Sequence, residues 1–193
     1  MTIKLHSEIL NPFQHAIREA RNCDPTTFCL ATVDKRGLPT QRIVTMLQID
    51  ECGLVFFTDS QSRKGQHLVK KPYGSACFYW HSLHQQVEFD GKIDLLDDEQ
   101  ANDYWRTRDR DSQISAWASK QSSELANQQQ LLDQVKEVKA RFRDIQIPRP
   151  PNWKAYRLIP ERVEFWSSGW HRLHERICFE WREEGWQQTL LYP

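Results

Sequence analysis

The chain has 193 residues with 26 Lys+Arg against 26 Asp+Glu, and it is 39% hydrophobic, with eight Trp and nine Phe. That length suits one domain over residues 1–193 with material for a real core. The zero formal net charge excludes a nucleic-acid binder held by a broad basic field and leaves local basic clusters as pockets for small anions.

Taken in chain order, residues 7–21 carry apolar positions at helical spacing (Ile9, Phe13, Ala16, Ile17, Ala20) within an N-terminal segment 1–24, and Pro12 predicts that the helix proper begins near it. Residues 27–33, 40–47 and 54–58 read as strands joined by turns at 34–37 and 50–53, that is, antiparallel hairpins in series. A short helix follows at 62–70, then strands at 74–81 and 85–95. Residues 97–139 are mostly helical, with an acidic start that suits the macrodipole, a break at 109–112 and a long polar helix from about 123. Pro148, Pro150 and Pro151 form a stiff connector. The C-terminal part, 148–193, returns to strands at 155–159, 162–167, 173–181 and 186–192, with a turn at 183–185. Strands flanking grouped helices imply an α+β barrel rather than a doubly wound sheet.

None of the five cysteines (Cys23, Cys29, Cys52, Cys77, Cys178) forms a C-x-x-C pair, and an odd count suits free thiols in a reducing compartment. Cys29 and Cys77 lie in apolar runs and read as small core residues. No signal-peptide core and no run near the roughly 20 apolar residues of a membrane span are found, which predicts a cytoplasmic protein free of the membrane.

Three segments carry possible chemistry. At 58–65, Thr58, Ser62, Arg63 and Lys64 fall where a strand ends and a helix begins, which makes a phosphate seat; capping by Ser62 is compatible with it. Tyr104, Arg108 and Ser112 are spaced by four, so a continuous helix would gather them for a second phosphate, or they mark an ordinary surface helix. Arg172, His174 and Arg176 alternate with Leu173 and Glu175, and on a strand they share one face. That face is either an anion site or a solvated edge kept soluble by charge. The pairs His81/His84 and His171/His174 would put their rings on opposite faces of a strand, with no further ligand at metal spacing, so no metal site is expected. A G-x-S-x-G elbow and a dinucleotide glycine fingerprint are absent.

Together these stretches resemble the pyridoxine/pyridoxamine 5′-phosphate oxidase family from about residue 25 to 193. The resemblance is carried by Ala31-Thr-Val-Asp34, Gln41-Arg-Ile-Val44, Val55-Phe-Phe-Thr58, Ser62-Arg-Lys-Gly65, Phe78-Tyr-Trp-His81 and Gln85-Gln-Val87, then by residues 112–122, Val163-Glu-Phe-Trp166, Arg172-Leu-His-Glu-Arg176 and Leu191-Tyr-Pro193. It implies an FMN-binding split β-barrel, antiparallel and Greek-key-like with peripheral helices, working as a homodimer with FMN at the interface. It assigns Arg42, Arg63 and Lys64 to the FMN phosphate, with Ile43, Val44 and Thr45 beside them. Phe57, Thr58 and Gln86 would line the flavin on the same subunit, while Gln121, Ser122, Trp166 and Arg176 would reach it from the other. Tyr104, Arg108 and Ser112 would hold a substrate phosphate. Arg172, Leu173 and His174 would face the substrate ring, with Arg172 and His174 as catalytic residues.

The implied reaction oxidises pyridoxamine or pyridoxine 5′-phosphate to pyridoxal 5′-phosphate, with molecular oxygen as acceptor and peroxide released. The guanidinium of Arg172 stays protonated, so its role is to orient substrate and stabilise charge rather than to act as a base. Two departures fall at the substrate end: Leu47 stands where the family carries a lysine, and the family's N-terminal arm has no counterpart before Leu5. An FMN oxidase acting on another ring (the phenazine-biosynthesis type) and a low-turnover flavin- or pyridoxal-phosphate-binding protein remain as alternatives.

Overall fold

The computed structural model describes residues 3–21, 24–183 and 185–193. The readings that fall on Cys23, on Glu184 in the expected turn and on residues 1–2 lie outside them. In order, the elements are α1 (Ser7–Glu19), β1 (Thr27–Val33), β2 (Pro39–Asp50), β3 (Gly53–Asp59), α2 (Arg63–Lys70), β4 (Tyr73–Trp80), β5 (Gln85–Leu95), α3 (Asp98–Thr107), α4 (Arg110–Ala118), α5 (Gln128–Arg141), β6 (Trp153–Ser167), β7 (Glu175–Arg182) and β8 (Gly185–Leu190). Two 3₁₀ turns, His81–Leu83 and Trp170–Arg172, complete the set.

The strands pair antiparallel in the order β3-β2-β1-β4-β5-β6-β7-β8, and a further β3–β6 pairing closes the first six into a barrel. β1–β3 are hairpin-connected and β4 returns to the free edge of β1, which is a Greek key. Alternation along β1 turns Phe28, Leu30 and Thr32 inward and Cys29 outward. Cys29 and Cys77 are therefore not core residues: they stand opposite one another, half-buried, on the outer face.

Two cores back the sheet. The first fills the barrel with Leu30, Leu54, Phe56, Phe78, Phe89 and Leu158, and α1 plugs it with Ile9, Phe13 and Ala16. Phe13 meets Phe78 and Phe89 edge-on at centroid distances of 5.0 and 4.9 Å. Truncating such a ring costs about 3–5 kcal/mol. The second core lies on the opposite face of β3 and β6, where Phe57, Trp153 and Ala155 are covered by Ala101, Trp105, Ile114 and Phe142 of the α3–α5 region. Burial on both faces explains why all seven residues of β3 are buried.

Several boundaries differ from expectation. α1 runs through Pro12 and starts five residues earlier, because Ile9 already packs in the core. The two strands expected at 155–159 and 162–167 are one strand, β6, whose partner β5 carries a register shift between Asp90 and Gly91. The helix expected to gather Tyr104, Arg108 and Ser112 breaks at Arg108, which has extended backbone, and Asp109 caps α4 instead. β7 begins only at Glu175, so strand alternation does not place Arg172 and His174 beside Arg176. His81 and His84 belong to a 3₁₀ turn, where positions three apart eclipse, and their ring centroids are 5.4 Å apart.

Candidate active site

At the β3–α2 junction the chain builds a cluster of cations. Ser62 caps α2, its Oγ accepting from Gly65 N–H at 3.3 Å. A Cβ on Gly65 would stand 2.4 Å from the Ser60 carbonyl oxygen, so a larger residue cannot let the helix start so close to the turn. Arg63 and Lys64 follow on the first turn, and Arg42 comes in from β2. Arg42 is oriented by neutral acceptors alone: its Nη1 donates to the Leu30 carbonyl at 2.9 Å and Thr32 Oγ1 at 2.8 Å, and its Nη2 to Thr40 Oγ1 at 2.6 Å. Lys64 Nζ donates to Gln121 Oε1 at 2.9 Å and Ser62 Oγ at 3.3 Å. Among the described residues none of these three cations makes an ion pair. Burial, with Arg42 adding to it, pushes the Lys64 ammonium down to about 8. Three cations sharing a pocket with no ion-paired carboxylate, Asp59 only partly offsetting Lys64, form a site for an anion.

That pocket, about 430 Å³, is lined by Arg42, Arg63, Lys64, Gln121 and Ser122. A neighbouring cavity of about 230 Å³ is lined by Ile43, Val44, Thr45, Leu47, Phe57, Thr58, Arg108 and Trp153, and shares Lys64 and Gln121 with the first. Arg108 lies 5.4 Å over the Trp153 ring and 5.8 Å over Phe57, with its Nε buried and unpartnered. Tyr104 packs into the second core and Ser112 donates its N–H to Asp109 at 2.8 Å; neither lines this cavity. Leu47 and Arg108 do meet there.

The other expected site residues form a second patch. Gln86 pairs with Trp166 across β5–β6, and Trp166 with Arg176 across β6–β7. The His174 ring is 4.7 Å from Trp166, and its Nδ1 accepts from Gly169 N–H at 3.2 Å. Arg172 and Leu173 are exposed in the adjoining turn, where His171 and Arg172 both have left-handed backbone, φ 52° and 66°. Gly169 closes this loop: a Cβ there would be 1.8 Å from the Leu173 carbonyl oxygen. Such strain in non-glycine residues persists only where surrounding contacts hold it, and it clusters at functional sites.

The two patches lie far apart within one chain. Thr58 pairs with Lys154 and Gln86 with Trp166, twelve residues along β6, or roughly 40 Å of strand contour at ~3.3 Å per residue. Gln86, expected beside Phe57 and Thr58, is at the Trp166 end. Gln121, expected from the other subunit, contacts Lys64 and Thr58 (Oγ1 to Oε1, 3.3 Å) of its own chain. Sequence reading had missed Glu164, which is buried and bonded to Arg176, and Gly169. The only sequence signal for Glu164 is a carboxylate inside the aromatic run at 163–166. Among the described residues no group of three His, Cys, Asp or Glu is placed to hold a metal, and no helix is long and apolar enough to cross a membrane.

The residues of the site fit FMN. A phosphate fits the unpaired Arg42, Arg63 and Lys64, and a flat ring fits the cavity between Phe57 and the β2 backbone, so the donor set suits the group.

A closed antiparallel barrel with this cation seat and aromatic slot defines a split-barrel protein with a site for a phosphorylated ring compound. Family models agree: residues 13–167 match "Pyridoxamine 5′-phosphate oxidase" and residues 153–193 match the "Pyridoxine 5′-phosphate oxidase C-terminal dimerisation region". Pyridoxine/pyridoxamine 5′-phosphate oxidase of Anaeromyxobacter dehalogenans is 42% identical over 184 residues, covering 94% of this chain and 93% of its own. That of Myxococcus xanthus is 39% identical over 176 residues, covering 91% and 85%. Among solved structures, PhzG from Burkholderia lata, in complex with tetrahydrophenazine-1-carboxylic acid, has a TM-score of 0.90 at 31% identity, covering 96% of this chain and 91% of its own. The chain belongs to the pyridoxamine 5′-phosphate oxidase family.

Proposed function

We propose that the protein is an FMN-dependent oxidase that converts pyridoxamine or pyridoxine 5′-phosphate to pyridoxal 5′-phosphate. It works as a homodimer of single-domain subunits whose two flavins lie where the cation seat of one protomer meets the Trp166 patch of its partner. The observation that carries this reading is the seat itself: Arg42, Arg63 and Lys64 converge without an ion pair beside an aromatic slot. The separation of the two patches along β6 supports the shared site, since within one chain they line different pockets.

In this arrangement Arg42, Arg63 and Lys64 hold the cofactor phosphate, with Gln121 and Ser122 beside them. Ile43, Val44, Thr45, Phe57 and Thr58 line the ring; Gln86, Trp166 and Arg176 complete it from the partner subunit. FMN held there would supply a two-electron acceptor for the substrate carbon's hydride and a route for those electrons to oxygen as peroxide; for the amine substrate, water would then release ammonia. Arg108, with its unpartnered Nε, binds the substrate's anionic arm. Tyr104 from α3 and Ser112 from α4, on either side of the break at Arg108, join it on that arm. Arg172 orients the substrate and offsets developing charge. His174 accepts at Nδ1 from Gly169, so its neutral ring presents Nε2–H as a donor to the substrate.

The test is FMN uptake by the purified protein, followed by peroxide and pyridoxal 5′-phosphate release when pyridoxamine 5′-phosphate is added. A flavin-loaded protein inert toward both phosphorylated vitamers would sink the substrate assignment. A second reading, an FMN oxidase on another ring, is favoured by Leu47: it adds no cation beside Arg108, so once Lys64 of the same cavity holds the cofactor phosphate one guanidinium is left, which suits a carboxylate better than a phosphate. Turnover of a ring carboxylate in preference to the vitamers would select it.

A further inference from the structure

Two rows of side chains run side by side across the outer face of the sheet. Register aligns Tyr79, Gln86, Trp166 and Arg176 in one row, and Cys77, Glu88, Glu164 and Cys178 in the next. Side chains two apart on a strand share a face, so the acidic row stands directly behind the row assigned to the flavin. Glu164 is the most enclosed of these carboxylates, at 4% exposure. Its Oε1 accepts from Arg176 Nε at 2.6 Å and its Oε2 from Arg176 Nη2 at 3.0 Å. Arg162 donates to the same Oε2, and Arg176 Nη1 donates to the Tyr192 carbonyl at 2.9 Å. Burial alone would raise the Glu164 carboxyl, but the hydrogen bonds from Arg176 and Arg162 outweigh it and hold the group below the usual carboxylate range.

A guanidinium carries five N–H groups in one plane. Three are taken here, which fixes the plane and leaves one N–H on each terminal nitrogen. We propose that Glu164 is a positioning residue that acts through Arg176, locking its guanidinium so that the two remaining N–H groups meet an acceptor edge of the flavin. The inference rests on the flavin reading above. An arginine already anchored on one edge loses little freedom when it binds, so the bidentate pair preorganises the contact. The neighbouring column repeats the pattern, with Gln86 Nε2 donating to Glu88 Oε1 at 3.1 Å.

A double-mutant cycle tests it. FMN is titrated into wild-type apoprotein, Glu164→Gln, Arg176→Gln and the double variant, with flavin fluorescence as the readout. Glu164→Gln is expected to weaken FMN binding about tenfold when Arg176 is present and less than about twofold when it is already Gln, because the effect passes through that side chain. Equal losses in both backgrounds, or no loss with Arg176 present, overturn the proposal. Arg162→Gln removes the other partner of Glu164 and is expected to leave FMN affinity within about twofold; a tenfold loss there would make the effect one of network stability and overturn it as well. Should Glu164→Gln not fold, Glu164→Asp, which retracts the carboxylate by one methylene, replaces it in the same cycle with the same non-additivity required. Wild-type protein that takes up no FMN overturns the flavin reading itself, whereas additive losses in a flavin-binding protein overturn only the role of Glu164.

Discussion

The cation seat and the Trp166 patch treat arginine in opposite ways. At the seat, Arg42 and Lys64 are held by a carbonyl, hydroxyls and an amide, and their charge, with that of Arg63, is left for a ligand. At the patch, Arg176 is countered by the buried carboxylate of Glu164. The seat offers charge and the patch offers direction. A cofactor with a phosphate at one end and a hydrogen-bonding ring at the other needs both, and neither end alone would hold it in a reactive pose.

The sharpest way to break this comparison is to disable one end at a time. Lys64→Met and Arg172→Gln homodimers are each expected to be inactive, yet mixing and re-associating the two should restore about a quarter of wild-type peroxide production, because half of random pairs are mixed and each has one intact site of two. Two inactive parents that never complement would place both ends in one subunit's site. Next in size, Lys64→Met should weaken FMN binding about 100-fold by equilibrium titration, the scale of a lost charge-assisted contact, whereas Arg172→Gln should leave it unchanged while lowering kcat 10²–10³-fold, about the cost of removing a transition-state donor.

A pH titration sharpens the seat's side of the comparison. The Lys64 ammonium titrates near 8 in the free seat instead of at 10.5, and a bound anion raises it again. Between these values binding takes up a proton, so FMN affinity should fall by up to about tenfold per pH unit above pH 8. The ligand-free protein should move the other way: the unfolded chain binds more protons in that window, so stability rises with pH as the buried charge is lost. A flat affinity profile from pH 8 to 10 would show that Lys64 does not face the anion. The smallest effect is expected from Leu47→Lys, which adds a cation beside Arg108 and should lower KM for pyridoxamine 5′-phosphate about five- to tenfold. An unchanged or higher KM would favour a substrate with a weaker anionic arm.

Much of the barrel was legible because its signals are local. Alternation and turn residues placed β1 at 27–33 and β5 at 85–95 with the bounds observed, and Ser62 marked the start of α2. The seat was legible for the same reason, since Ser62, Arg63 and Lys64 are adjacent. What failed depended on distant contacts. Alternation was extended to Arg172 and His174, but the Gly169 backbone meets Leu173 and folds that stretch into a loop. Spacing by four gathered Tyr104, Arg108 and Ser112, but Asp109 found Ser112 N–H and began a new helix. Cys29 and Cys77 looked apolar by neighbourhood, while strand phase turned them outward. Glu164 stood inside the Val163-Glu-Phe-Trp166 stretch, but its role could not be read there, because its partner Arg176 is twelve residues away and only the β6–β7 register joins them.

β6 contacts both regions, pairing with β3 near the seat and with β5 and β7 at the patch. It therefore serves as a ruler. Two extra residues between Leu158 and Val163 would keep every side chain on its face, since the strand period is two, yet would lengthen the spacing by about 6.6 Å. In a symmetric pair that error enters both sites at once. The exposed loop at 123–127 can vary in length at the surface, but in the proposed dimer the length of this one strand sets how far apart the two shared sites lie.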